Sequence, residues 1–83
     1  MDLNTIETIG KVIGFSELTN TLWIDYDLSL SAETIAKDAK GLADKHKISV
    51  GFCIYDAQVV ASHHMDHSFI AANVRQALTL SSK

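Results

Sequence analysis

The clearest periodic pattern in the chain is the alternation of apolar and polar residues in the segment 21–28, "TLWIDYDL". A period of two predicts a β-strand that buries one of its faces. The residues of the apolar face are Leu22, Ile24, Tyr26 and Leu28. The opposite face carries one aromatic ring and two carboxylates, those of Trp23, Asp25 and Asp27.

The segment 31–45 instead follows the period of an α-helix. Ser31 is a candidate N-cap, and Glu33 lies in the first turn, where the helix dipole favours an acid. The basic run "KHK" at 45–47 suits the negative end of that dipole. The small apolar residues predicted to pack against a sheet are Ala32, Ile35, Ala36, Ala39, Leu42 and Ala43.

Two more strands and a second helix are predicted after this helix. The segment "ISVGFCIY" at 48–55 alternates, and "QVVASHHM" at 58–65 is its returning strand after a tight turn at "DA", 56–57. The predicted inward residues of the first strand are Ile48, Val50, Phe52 and Ile54. Residues 67–80 predict a helix capped by Asp66 or Ser68. Its apolar side is Ile70, Val74, Ala77 and Leu78.

The N-terminal segment permits two interpretations. Its apolar residues fall at helical spacing, Asn4 and Glu7 form a capping-box pattern, and Gly14 could end the helix. These apolar residues are Leu3, Ile6, Ile9 and Ile13. Alternatively, "KVIGFSEL" pairs with "TLWIDYDL" as a hairpin around Asn20. We favour the helix.

The predicted order of elements is therefore helix, strand, helix, strand, strand, helix. It indicates an α+β fold in which helices pack on one face of a small, mainly antiparallel sheet. The chain shows no repeats and no linker, so we expect one domain over residues 1–83.

Composition narrows the classes of function. The net charge is −3 and the basic residues are scattered, which argues against a partner made of nucleic acid. The sequence has no apolar run long enough to span a membrane and no signal-peptide pattern. The lone Cys53 excludes an internal disulfide and fits the cytoplasm. We expect its thiol to be buried and inert in mid-strand.

A cluster of histidines is the strongest candidate for ligand chemistry. Strand alternation predicts that His63 and His64 point to opposite faces, so that either could converge with His67 at the following corner. Asp66 could support such a metal site, and the thioether of Met65 suits haem iron or copper. The alternative is that the histidines are ordinary surface residues and that Asp66 is a helix cap.

The segment "VVASHHMD" followed by "VRQALTLSS" resembles the haem-binding, HbpS/GlcG-like family. Members typically carry a strand ending in Asp, a turn, a strand such as "LVAxxRMD" and a helix containing "KAxTA". Here "GFCIYDA" matches the first strand, "VVASHHMD" the second and "QALT" the helix, and the resemblance covers about residues 32–83. The departures are His64 in place of Arg, Gln76 in place of Lys, and a turn without glycine. The resemblance implies a profilin-like fold, self-association and binding of haem or another small ligand.

Three hypotheses about function follow. The first is a non-enzymatic interaction module that binds itself or a larger protein, with Trp23, Asp25 and Asp27 as contact residues. The second is a haem- or metal-binding accessory protein that uses His63, His64, Met65 and His67, with His63, His67 and Asp66 as the metal set. An enzyme is the weakest hypothesis, because no nucleophile–base pair can be argued from spacing. We favour the first.

Overall fold

The structure, a computed structural model, describes residues 3–81; residues 1–2 and 82–83, the two ends of the predicted domain, lie outside this range. A short 3-10 turn, Leu3–Thr5, precedes four strands and two α-helices. The strands are β1 (Lys11–Ser16), β2 (Thr21–Asp25), β3 (Ser49–Ile54) and β4 (Ala57–Ser62). The helices are α1 (Ala32–His46) and α2 (His67–Ser81).

The four strands form one mixed sheet in the order β1-β2-β3-β4. The pairs β1–β2 and β3–β4 are antiparallel hairpins, and β2 pairs with β3 in parallel, with α1 as the crossover. Both helices pack on one face, where they contact each other, β3 and β4. The predicted α+β class is confirmed, whereas the likeness to profilin stays a prediction.

The helix predicted from Leu3 to Ile13 is wrong, and the alternative hairpin around Asn20 is correct. Asn20 takes a left-handed conformation with φ of 52°, which asparagine tolerates in turns. Gly14, predicted to end a helix, lies in β1 opposite Trp23. Helical spacing of apolar residues did not imply a shared buried side, because Ile9 and Ile13 are 53% and 68% exposed.

The hydrophobic core lies between the helices and one face of the sheet, and it confirms most of the predicted apolar positions. Ser31 caps α1 as predicted, because its hydroxyl accepts a hydrogen bond from the Thr34 amide. The Tyr26 and Phe52 rings meet edge to face, with their centroids 5.1 Å apart. The largest fully buried side chains are Phe52, Leu22, Ile24, Ile35, Ile54, Ile70, Val50 and Val74.

One carboxylate, that of Asp38 in α1, joins three parts of the fold. The hydroxyl of buried Tyr26, just after β2, donates a hydrogen bond to Asp38 Oδ2 over 2.7 Å. The Thr8 hydroxyl donates to the same oxygen, and the Ile9 amide donates to Oδ1 over 3.3 Å. Burial, followed by the contact with Asp38, raises the pKa of Tyr26 far above its usual value. The segment before β1 is thereby fixed against α1.

We predict that Tyr26→Phe lowers the free energy of unfolding by about 1–2 kcal/mol at neutral pH, because a buried hydrogen bond to a carboxylate is lost. The raised pKa keeps Tyr26 protonated in the folded state, while the unfolded chain releases this proton above about pH 10. The wild type therefore loses stability as pH rises above about 10, by up to about 1.4 kcal/mol per pH unit. Tyr26→Phe lacks this contribution.

Denaturant unfolding of both proteins from neutral pH to about pH 11 would measure this difference. The deficit of the variant should shrink above about pH 10, where the wild type loses stability through Tyr26. A deficit that stays constant over the whole range would contradict the assignment.

Candidate functional site

The sheet has one uncovered side, because both helices pack on the other. This side, here called the open face, presents Ile13, Trp23, Asp25, Cys53 and Val60. No element among residues 3–81 packs over it. Ile13 is 68% and Val60 43% exposed, so apolar side chains of the sheet are left in water. Isolated exposed apolar residues are ordinary, but a group on one sheet face indicates a contact surface.

Trp23 lies at the middle of the open face and rests on a glycine. Strand pairing aligns Gly14, Trp23, Gly51 and Val60 in one row across the four strands. A Cβ atom built on Gly51 would come within 2.6 Å of the Trp23 ring. The indole therefore packs directly against the backbone of β3. Glycine inside a strand commonly marks such a close approach.

The other side of Trp23 is open. A Cβ atom on Gly14 would meet no atom within 4 Å, so the surface beside the indole is empty at this position. Ile13 is the extra residue of a β-bulge, where the register shifts between Val12 and Gly14. The surface of the open face over Gly14 is therefore unobstructed.

The charged rim of the open face differs from the prediction. Asp25 is exposed and pairs in register with Lys11, which is exposed too. Asp27 lies beyond the end of β2, so the predicted shared strand face for the two aspartates is wrong. The Asp27 carboxylate accepts a hydrogen bond from the Ser29 amide over 3.0 Å, and this bond lowers its pKa. Asp27 stabilises the turn that leads to α1.

Cys53 is a second correction. Its thiol was expected to be buried, but the side chain is exposed on the open face. The alternation of β3 was read correctly, with Phe52 and Ile54 buried on the helix side. The prediction for Cys53 failed because it assumed that another element packs on the opposite side of the sheet, where Cys53 lies.

The histidine corner also departs from the prediction. The strand β4 ends at Ser62, so His63 and His64 lie in a turn and not in a strand. Their rings lie side by side with centroids 3.9 Å apart, and the expected divergence of the two imidazoles is therefore wrong. His67 is the exposed first residue of α2.

Hydrogen bonds explain the shape of this corner. The Lys40 ammonium donates to the His63 carbonyl over 2.8 Å and to Asp44 over 2.9 Å, which ties the turn to α1. The Ser62 amide donates to the Met65 sulfur over 3.3 Å. Met65, a predicted haem ligand, therefore caps the end of β4 in this structure.

The acid and base groups of the corner have defined environments. The Asp66 carbonyl accepts hydrogen bonds from the amides of Phe69 and Ile70, which places Asp66 at the start of α2 as predicted. Desolvation and the neighbouring His64 lower the pKa of His63, which favours its neutral imidazole. Within residues 3–81, no three or more His, Cys, Asp and Glu side chains cluster closely enough to hold a metal ion.

Sequence reasoning placed Trp23 and Asp25 on the correct face but missed Ile13, Gly51 and Val60. The available signal was Gly51, a glycine inside a strand of otherwise largely β-branched and aromatic character, which indicates close approach of another group. The bulge that exposes Ile13 has no comparable signal.

In the comparisons with known proteins, no family model, no curated protein and no solved structure matched the chain. The resemblance to the HbpS/GlcG-like family stays a prediction. Neither helix of the described residues is long and apolar enough to cross a membrane.

We predict that Gly51→Ala displaces the Trp23 ring and lowers the free energy of unfolding by about 1–3 kcal/mol, since the added Cβ overlaps the indole. Gly14→Ala is the matched control, because its Cβ meets open space and its φ is not positive. Urea unfolding and tryptophan emission would measure both effects. Equal stability of the two variants, with unchanged emission, would contradict the packing of Trp23 on Gly51.

Proposed function

We propose that this protein is a non-enzymatic interaction module that acts through its open face. The observation that carries the proposal is the position of Trp23, held against Gly51 at the centre of an uncovered sheet face beside exposed Ile13 and Val60. The occupant is a second copy of the chain or a larger protein.

The chemistry of the open face supports this proposal. A tryptophan ring that is already fixed loses little conformational freedom on binding, and tryptophan is enriched among the residues that dominate binding energy. The apolar centre has a charged rim formed by Lys11 and Asp25, which is the common arrangement of protein interfaces. The surface over Gly14 is unobstructed, so a partner can approach the sheet there.

The size of the protein gives a second reason. A chain of 83 residues buries only about 60–65% of the surface that it exposes when unfolded, so further burial through a partner adds useful stability. We assign the module to the cytoplasm, because the lone, exposed Cys53 suits a reducing compartment.

We predict that a photo-crosslinking amino acid at Ile13 captures a discrete protein in intact cells, because this side chain is exposed beside Trp23. The matched position is Lys45, exposed on α1 in the opposite layer. Mass spectrometry of the adduct distinguishes a second copy from a larger partner. Asp25→Lys, which reverses one rim charge without touching the core, should weaken the adduct severalfold.

Two results would contradict the use of the open face. One is equal crosslinking from Ile13 and Lys45, which would indicate contacts without a preferred surface. The other is the absence of any adduct from Ile13 while the protein remains folded.

A second candidate function is the binding of haem or a metal ion at the histidine corner. The observation in its favour is the pair of adjacent imidazoles, His63 and His64, whose ring centroids lie 3.9 Å apart. Desolvation and the neighbouring His64 lower the pKa of His63, which favours the neutral imidazole that binds metals. The residues fit only in part, because Met65 already accepts the Ser62 amide.

For this candidate we predict that haem added to the purified protein gives a saturable shift of its visible absorption. His63→Ala and His64→Ala should each weaken binding at least about tenfold, as removal of a ligand does. His46→Ala, a histidine outside the corner, serves as the control. Equal haem affinity in all three variants would rule out the corner as the site.

A further inference from the structure

The outer strand β4 lacks the features that protect sheet edges. The strand order leaves β1 and β4 at the two edges. The strand β1 carries Lys11 and a bulge, both of which discourage pairing with another chain. By contrast, β4 reads "AQVVAS", with no charge and no proline, and it pairs with β3 at all six positions without a shift. It is a regular edge, available for a further strand.

The backbone groups that β4 directs outward can be assigned. The Ser62 amide donates to the Met65 sulfur, and the Ser62 carbonyl accepts from the Met65 amide, so both groups point away from β3. Because hydrogen-bonding direction alternates along an antiparallel strand, Val60 and Gln58 direct their N–H and C=O groups to the same side. Met65 thus bonds the outward groups of Ser62 at the end of β4, whereas those of Gln58 and Val60 remain available to another strand.

A groove of about 280 Å³ runs beside this edge, between β4 and α2. Among residues 3–81, no charged side chain lines the groove, although the chain has a net charge of −3. Leu80, 60% exposed, stands at the groove. The lining from β4 is Ala57, Gln58, Val59 and Val60, and that from α2 is Asn73, Gln76, Ala77 and Leu80.

We propose that a second copy of the chain pairs with β4, antiparallel and about a two-fold axis near Val59, so that two four-stranded sheets become one of eight strands. In this register Gln58 of each copy lies opposite Val60 of the other. The outward N–H and C=O groups of these two residues form hydrogen bonds with each other, and the two-fold axis repeats this pair. The pairing uses the backbone of the edge strand and not the surface around Trp23, although the side chains of Gln58 and Val60 project from the open face. It therefore goes beyond the proposed function.

Three properties favour a second copy as the occupant. An uncharged contact brings two acidic chains together without opposing like charges. Amide side chains are both donors and acceptors, so Gln58, Asn73 and Gln76 can pair with their own copies across a two-fold axis. A symmetric contact also closes after two chains, as most homo-oligomers do.

The size of the contact sets the expected affinity. A strand of six residues is about 20 Å long, and with one groove it gives less than the roughly 800 Å² per partner of a standard interface. We therefore expect a reversible dimer with a dissociation constant of about 100 µM.

Amide hydrogen exchange of the full chain, read by NMR at increasing protein concentration, tests the proposal. The amides of Gln58 and Val60 should become protected as the dimer forms, whereas those of β1 should not. Sedimentation at the same concentrations gives the dimer fraction. A protein that stays monomeric up to about 1 mM would overturn the proposal.

A matched pair of variants identifies the surface. Gln58 and Cys53 are register partners, exposed on the same face, and they differ in that Gln58 lies on the edge strand. Gln58→Lys should weaken the dimer at least about tenfold, because it brings two like charges close together across the axis. Cys53→Lys should leave the dimer unchanged.

The reverse result, loss of the dimer with Cys53→Lys but not with Gln58→Lys, would place the second copy on the open face. That outcome overturns edge pairing and supports the proposed function. A dimer without protection of Gln58 and Val60 would also overturn edge pairing. The crosslink from Ile13 tests binding through the open face, and the protection of Gln58 and Val60 tests pairing through β4. The two proposals can therefore fail independently of each other.

Discussion

The rest of the structure depends on a geometric constraint, the match between two helices and one side of a four-stranded sheet. Two helices of about 10 Å diameter lying side by side match the width of four strands spaced about 4.8 Å apart, and their backbones come closest to β3 and β4. The small residues Ala36, Ala39 and Ala43 let α1 lie close to the sheet, and the core forms between the two layers. Nothing among residues 3–81 is left to cover the second side, so the sheet keeps Trp23 and its apolar neighbours at the surface.

The fold compensates for its small core with a few well-placed polar contacts. Asp38 binds the segment before β1 and the end of β2 to α1, and Lys40, half a turn further along the same helix, holds the histidine turn. Glu33 and Arg75 add an exposed ion pair between the two helices, of the kind that contributes little alone. One helix therefore anchors the segment before β1, the histidine turn and α2.

Much of the fold could be predicted from local patterns. The alternation in 21–28 predicted the burial of Leu22, Ile24 and Tyr26, which the structure confirms, although β2 ends at Asp25. The helical period of 31–45 is confirmed by α1. The N-terminal segment could not be resolved, because its apolar spacing fits a helix while its β-branched residues fit a strand. The end of β4 was missed, since the contact that terminates it, from the Ser62 amide to the sulfur of Met65 three residues further on, follows no known sequence pattern. The contacts of Asp38 likewise leave no sequence signal, whereas Gly51 indicates a close approach without identifying Trp23 as the residue that packs on it.

The parallel pairing of β2 and β3 has a consequence for the order of folding. Each hairpin joins strands that are close in sequence and can form early, whereas β2 meets β3 only after α1 has closed a long loop. Trp23 and Gly51 belong to opposite sides of that late junction. The packing of Trp23 on Gly51 at the centre of the open face is therefore absent from either hairpin alone, and it arises only when the whole chain has acquired its native topology.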